Sequence, residues 1–418
     1  MVDGQKNPTF KNSRLPLPFE IINLWGSFLE KTGLGVKKHD VNRLIASASK
    51  KAGLKDFGGE NFIPALEKLV NAANNCRHMK LYERLSFDYR INVHLVNRLR
   101  IQKRIKENPE ICYEKIEKPI FIVSLQRTGT TLLHNLLARD KDNKVIFDYE
   151  AFCPSPLVNK NRGENDPRIK MVERKYKMLY FLAPHLPTIH FGSAFEPEEC
   201  VHLLLNCFLC HMVAGFDQLV EYQQWLSAQN IIPFYEYYKL QLQLIQFFGR
   251  KGTWVLKSVN HLNYLDAIIN VFPDSTIIQI HRNPLKAIPS GCSLRATHLQ
   301  MLKGRIDLAE TGNKYLDIQV NMLNKAMDFR EKQNLKNFYD ISYTDLVRDP
   351  IMVVEKIYKN QGYKFTDLFK QKMVDWLNKN PENKYGKHVY SLDQFGLTED
   401  LIKTKLQRYI EKYKVMLE

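Results

Sequence analysis

The chain has 418 residues, 44% of them hydrophobic and 11% aromatic, which excludes a disordered or fibrous polymer and allows one large α/β domain with a helical extension. A net charge of +16 attracts anionic ligands, yet the lysines are spread along the chain and no basic segment interleaves aromatics, so no nucleic-acid partner is expected. Seven cysteines without framework spacing point to reduced thiols, the first residues lack the basic-then-apolar order of a signal peptide, and residues 21–29 are too short an apolar run to span a bilayer, so the cytoplasm is the expected location.

Residues 18–108 carry helical periodicity punctuated by Gly53, Gly58 and Gly59, predicting a helical N-terminal region over 1–115. After Pro109 the pattern changes. Residues 120–123 form a continuous apolar run, as expected of a strand buried on both faces. Similar runs begin at Lys144, Thr253, Thr276 and Phe338, with helical pattern between them. This alternation predicts an α/β domain over 116–418, a doubly wound parallel sheet of P-loop-like character flanked by helices. Residues 196–248 read as a long apolar helical stretch, and about 150–250 as a helical insertion walling a pocket.

The first strand runs into Ser124-Leu-Gln-Arg-Thr-Gly-Thr-Thr-Leu-Leu-His, a turn that passes directly into a helix. Backbone N–H groups near Gly129, the helix dipole, the hydroxyls of Thr130 and Thr131, and the Arg127 guanidinium would together favour a bound anion. The P-loop pattern Gly-x-x-x-x-Gly-Lys-Ser/Thr is missing here, which disfavours a magnesium-nucleotide enzyme. The strand at Thr253 ends in Lys257 and Ser258, with His261 beyond, and the strand at Thr276 ends in His281-Arg282-Asn-Pro, with Ser290 eight residues on. Functional groups thus gather at carboxyl ends of strands, where open α/β sheets bind ligands.

In this order, these motifs resemble the sulfotransferases that use 3′-phosphoadenosine 5′-phosphosulfate (PAPS), in particular a largely bacterial branch whose loop reads Pro-Arg-Thr-Gly-Thr-Thr-Leu-Leu-His. Gln126 departs from that Pro, a change expected to alter loop rigidity rather than chemistry. The resemblance implies that Arg127, Thr128, Gly129, Thr130, Thr131 and Leu132 hold the 5′-phosphosulfate. It implies that Arg282 and Ser290 grip the 3′-phosphate, that Tyr343 approaches the adenine nucleotide, and that Lys387 belongs to a C-terminal loop closing over the donor. It covers nearly the whole chain.

The implied reaction moves a sulfuryl group to a hydroxyl of a small-molecule, lipid or glycan acceptor, without a metal. Arg127 and Lys257 would act as an electrostatic clamp. The general base is open among His261, which follows Lys257 by four residues where the cytosolic branch has two, Glu198 and Glu199, and His190. Glu196-Pro-Glu-Glu199 is placed at the start of the long apolar helix. Two other readings remain, a small-molecule kinase of P-loop ancestry and a nucleotide-binding protein without catalysis. Cys207-Phe-Leu-Cys210-His211 matches the haem-attachment pattern but sits in an apolar helical stretch, so buried cysteines are the simpler reading. Phe191, Phe195, Tyr222, Trp225, Phe234, Tyr235 and Tyr238 are aromatics expected either in the acceptor pocket or in the core.

Overall fold

A computed structural model describes residues 12–417 apart from 34, 36, 77, 158–164, 210–214, 217, 334, 335, 382, 383, 387 and 388. Lys387, Cys210 and His211 therefore lie outside the described residues. Five parallel strands form one sheet in the order β2-β3-β1-β4-β5. They are β1 Ile120–Ser124, β2 Asn143–Lys144, β3 Thr253–Lys257, β4 Thr276–His281 and β5 Phe338–Ser342. The second strand is shorter than its apolar run. Beyond Lys144 the chain leaves β3, and Phe147 makes an antiparallel bridge to Pro197 instead.

The two faces of the sheet bury different helices. Phe121, Val123, Trp254, Leu256 and Ile277 point into the cluster that holds Leu66, Leu95 and Tyr235. Ile120, Ile122, Val255 and Ile278 point the other way, onto Leu133, Leu136, Val354 and Phe369. Strict alternation of burial partners along β1 follows from the period-two geometry of a strand, and burial on both sides explains why its sequence is apolar throughout.

Four helices make the N-terminal region: α1 Leu17–Lys31, α2 Val41–Ala52, α3 Ile63–Asn75 and α4 Leu81–Glu107. Asp40 caps α2 by accepting from the Arg43 N–H at 2.7 Å, and Gly53 ends it at φ +66°. Because α2, α3 and α4 share one core with the sheet, the change near residue 115 is a change of secondary structure within continuous packing.

Residues 196–248 are not one helix. They break into Val201–Leu205, Val220–Ser227 and Ile232–Phe248, with Pro233 at the first turn of the last. Gly215, at φ +90°, stands between the first two. Glu196 to Glu199 consequently precede any helix. They run alongside the chain after β2, where the Glu198 N–H donates to the Ile146 carbonyl at 2.9 Å and the Asp148 N–H to the Glu196 carbonyl at 3.2 Å.

Candidate active site

β1 occupies the centre of the sheet, where the strand order reverses, and the loop after it opens between the ends of β3 and β4. Helix α5, Thr130–Leu137, starts directly from this loop. Gly129 precedes it at φ +83°, and a Cβ there would meet Tyr343 and Leu346 side-chain carbons at 3.2 Å. Both the backbone conformation and the close approach call for glycine. The Thr128 hydroxyl is turned inward, donating to Ser124 Oγ at 2.6 Å and to the Leu125 carbonyl at 2.9 Å. Ser124 Oγ in turn donates to the Ile280 carbonyl on β4. Thr128 thus stiffens the turn, while Thr131 is exposed at its mouth.

Arg127 adopts φ +67°, which costs a non-glycine residue on the order of 1–3 kcal/mol and has to be held by its surroundings. Its holders are the residues expected at the second phosphate. The Arg127 Nε donates to Ser290 Oγ at 3.1 Å, and the Arg282 guanidinium donates to the Arg127 carbonyl. Arg282 also lies 3.9 Å over the Tyr343 ring. Burial, and to a lesser degree the neighbouring Arg282, lower the Arg127 pKa, while Tyr390 and Tyr315 act in the opposite sense. These contacts of the two guanidiniums are all with neutral groups. The concentration of positive charge is therefore left for an anion to complete.

Lys257 ends β3 and is only 2% exposed. Its Nζ lies 3.1 Å from Glu199 Oε1 and 3.5 Å from Thr131 Oγ1, so one ammonium joins the start of α5 to the acidic segment. Ser258 Oγ donates to the second Glu199 oxygen at 3.4 Å. The neighbouring Glu198 is buried, and its Oε1 accepts from the Glu199 N–H at 2.7 Å. Burial pushes the Glu198 carboxyl up, but His190, His202, Lys257 and Lys175 outweigh it and hold the pKa below the usual range. His190 lies close enough to feel Glu198, Lys257, Arg127 and Glu199, although burial keeps its pKa low.

His261 does not join this group. It is fully buried, with Tyr235 OH 2.7 Å from Nδ1 and Cys200 Sγ 3.0 Å from Nε2, and it packs edge-on against Phe121. Burial drops its pKa to about 3. A four-residue spacing after Lys257, through the short 3-10 helix Val259–Tyr264, turns the imidazole into the core instead of toward the strand end. Both of its nitrogens are engaged there, so the expectation of a base at His261 is withdrawn.

The contacts of three further residues, two of them tyrosines that no motif singles out, also shape the loop. Gln126, the departure in the loop, accepts a hydrogen bond from Tyr315 OH at 3.1 Å through Oε1, so the side chain supplies a tether where Pro would supply rigidity. Tyr315 in turn fits only because Gly291 has no side chain, since a Cβ there would lie 2.0 Å from its hydroxyl. Tyr390 is the third, close enough to influence Arg127. No local motif announces these tyrosines, because both reach the loop from distant parts of the chain. Cys207 is buried with its thiol donating to the Leu204 carbonyl at 3.0 Å, and burial raises its pKa to about 12. Among the aromatics, Tyr222, Tyr235 and Tyr238 are wholly core, whereas Phe191 and Phe195 are 36% and 48% exposed beside the acidic segment.

The sequence pattern of the sulfotransferase family matches residues 119–367. The crystal structure of sulfotransferase STF1 from Mycobacterium tuberculosis H37Rv superposes with a TM-score of 0.76 at 30% identity, covering 88% of this chain and 98% of that one. Sulfotransferase STF9 from Mycobacterium avium superposes with a TM-score of 0.78 at 24% identity, covering 90% and 97%, a likeness of fold. The omega-hydroxy-beta-dihydromenaquinone-9 sulfotransferase Stf3 of Mycobacterium bovis is 24% identical over 299 residues, which are 70% of this chain and 75% of that protein.

Proposed function

The chain belongs to the sulfotransferase family, and from that premise we propose that it takes its sulfuryl group from PAPS and delivers it to the hydroxyl of an apolar alcohol of lipid type. The observation that carries the donor assignment is the contact of Arg127 with both Ser290 and Arg282 at the mouth of the β1 loop. One loop and one helix start suit a single phosphate. Two guanidiniums, a buried lysine and a serine suit a nucleotide with phosphate at both ends.

When bound, the donor supplies the sulfuryl group and a bisphosphate leaving group. Arg127, Thr130 and Thr131 hold its sulfated end, Arg282 and Ser290 hold the other phosphate, and Tyr343 lines the nucleotide between them. Lys257, from its place beside Thr131, neutralises charge on the bridging oxygen as the bond to sulfur breaks. Glu199 receives the proton of the acceptor hydroxyl as the new S–O bond forms. It is better suited than Glu198, because it is partly exposed and is oriented by Ser258, whereas Glu198 is buried and less open to an acceptor.

The acceptor class is supported by the exposed Phe191 and Phe195 in the segment that leads to Glu198 and Glu199, and by the menaquinone-derived hydroxyl compound in the name of the Mycobacterium bovis relative. Calorimetry with adenosine 3′,5′-bisphosphate is the direct test of the donor. Binding by the wild type, weakened at least tenfold in R282A, is the expected result. Absence of binding would overturn the donor assignment.

A further inference from the structure

Helix α1 carries apolar residues on both its faces, and only one of them is covered by the protein. Its protein-facing stripe holds Phe19, Ile22 and Leu29 about two small or polar contacts: Asn23 Oδ1 accepts from the Tyr82 N–H at 3.0 Å, and Gly26 lies so close to Leu81 that a Cβ would approach it within 2.5 Å. Its outward face carries Leu17, Ile21, Leu24, Trp25 and Phe28, every one more than half exposed, with Leu24 at 69% and Trp25 at 59%. The spacing is helical, so these five side chains share one face. Amphipathic surface helices normally bury that face. Exposed apolar surface on this scale marks an interaction site.

The same surface continues toward the active site. Phe19 of α1 lies 6.3 Å from Phe181, at the end of the helix Pro167–Leu182, where Met178 and Phe181 are both at least half exposed. The residue between them and the acceptor segment is Tyr180, whose hydroxyl donates to the Gly192 carbonyl at 2.9 Å. Gly192 adjoins the exposed Phe191 in the chain, so the helix Pro167–Leu182 is tied directly to the segment that leads to Glu198 and Glu199. Its charged border is mostly basic. Arg14, Lys31, Lys37 and Lys38 are exposed around α1, and Arg174 and Lys177 on the second helix, against Glu30, Asp40 and Glu173.

We infer that α1 and the end of the helix Pro167–Leu182 form a docking face for an anionic lipid bilayer, placing the acceptor side of the active site against the membrane. The inference rests on the reading of the acceptor as a lipid-type alcohol. An apolar helix face with Trp and Phe at its centre and Lys and Arg at its edges is the composition of an interfacial helix, which lies in the headgroup region without spanning the bilayer. Among the described residues no helix is long and apolar enough to cross a membrane. Charge complementarity selects the occupant: a second copy of the chain would bring the same basic border against itself, whereas anionic headgroups neutralise it.

The test is co-sedimentation of the full chain with vesicles of phosphatidylcholine containing roughly 30% phosphatidylglycerol, comparing wild type with W25E/F28E. Wild-type binding that falls at least tenfold in the variant, and falls also on pure phosphatidylcholine, supports the docking face. Equal binding by both proteins, or none by the wild type, overturns it. So does sedimentation velocity showing a wild-type dimer that W25E/F28E converts to monomer, because the face would then join two copies. Thermal unfolding and bisphosphate calorimetry on the same variant, both expected to match wild type, separate a failure of docking from a failure to fold. Vesicle binding needs neither donor nor turnover, so the donor assignment stands or falls independently.

Discussion

Lys257 and Glu199 stand 3.1 Å apart at the mouth of the loop, yet they are assigned opposite tasks, one at the bond that breaks and the other at the proton that leaves. Steady-state kinetics separates them from bystanders. E199Q is expected to lower kcat by about 100- to 10,000-fold with bisphosphate affinity retained, since a general base contributes on that scale. E198Q is expected to lower kcat far less. A kcat in E199Q within a few-fold of wild type would remove Glu199 from the mechanism. Gly129 is a second point where one residue decides. G129A adds a Cβ at φ +83° against Tyr343 and Leu346, so it is expected to destabilise the fold by about 1–2 kcal/mol and to weaken the bisphosphate, read by urea denaturation and calorimetry.

At the scale of elements, the loop between β1 and α5 is defined as much by distant helices as by its own residues. Arg127 keeps its left-handed backbone because Arg282, just past β4, donates to its carbonyl, and because Ser290, on the helix Pro284–Lys303, accepts from its side chain. Gln126 is tied to Tyr315 on the helix Leu308–Gln333. Y315F removes that hydrogen bond, which is worth about 0.5–1.5 kcal/mol, so a loss of roughly 2- to 10-fold in bisphosphate affinity is expected, with Q126A showing a similar loss and the double variant no further loss. Additive losses would show that the two side chains act separately.

The whole molecule shares one core between the N-terminal helices and the sheet, which makes α2, α3 and α4 part of the support of β1 and β3. A chain beginning at residue 116 is therefore expected to aggregate or to lack a cooperative thermal transition. Acid sensitivity belongs to this scale too. His134 and His261 are buried and His94 is partly buried, and desolvation lowers the pKa values of His94, His134 and His261 to about 4, 3 and 3 from the usual 6.5. In the unfolded chain they take up protons as pH falls below about 6.5, while in the folded chain they stay neutral. Their contribution is thus fully present above that pH and is lost as pH falls toward the folded values. Each adds up to about 1.4 kcal/mol per pH unit to the slope of stability, so the urea midpoint should fall steeply between pH 6.5 and 4. A flat midpoint across that window would show that these rings are not neutral in the folded chain.

The sequence by itself determined the sheet, the turn that follows its first strand, and the family. Apolar runs buried on both faces, helical pattern between them, and short motifs that act through backbone N–H groups are all local properties, so β1, β3, β4 and β5 and the Arg127–Thr131 turn were legible without coordinates. β2 was overextended, because an apolar run at a sheet edge does not reveal that its later residues bridge to residue 197 instead of to β3. Only the tertiary structure decided which candidate base faces the loop. In sequence His261 is near Lys257 and Glu199 far from it, but the 3-10 turn after β3 carries the imidazole into the core, and the extended segment before Cys200 carries the carboxylate to the ammonium. The direction of α1 was likewise settled in three dimensions. Its pattern puts apolar residues on both faces, and the contacts of Asn23 and Gly26 with α4 fix which of them is inward.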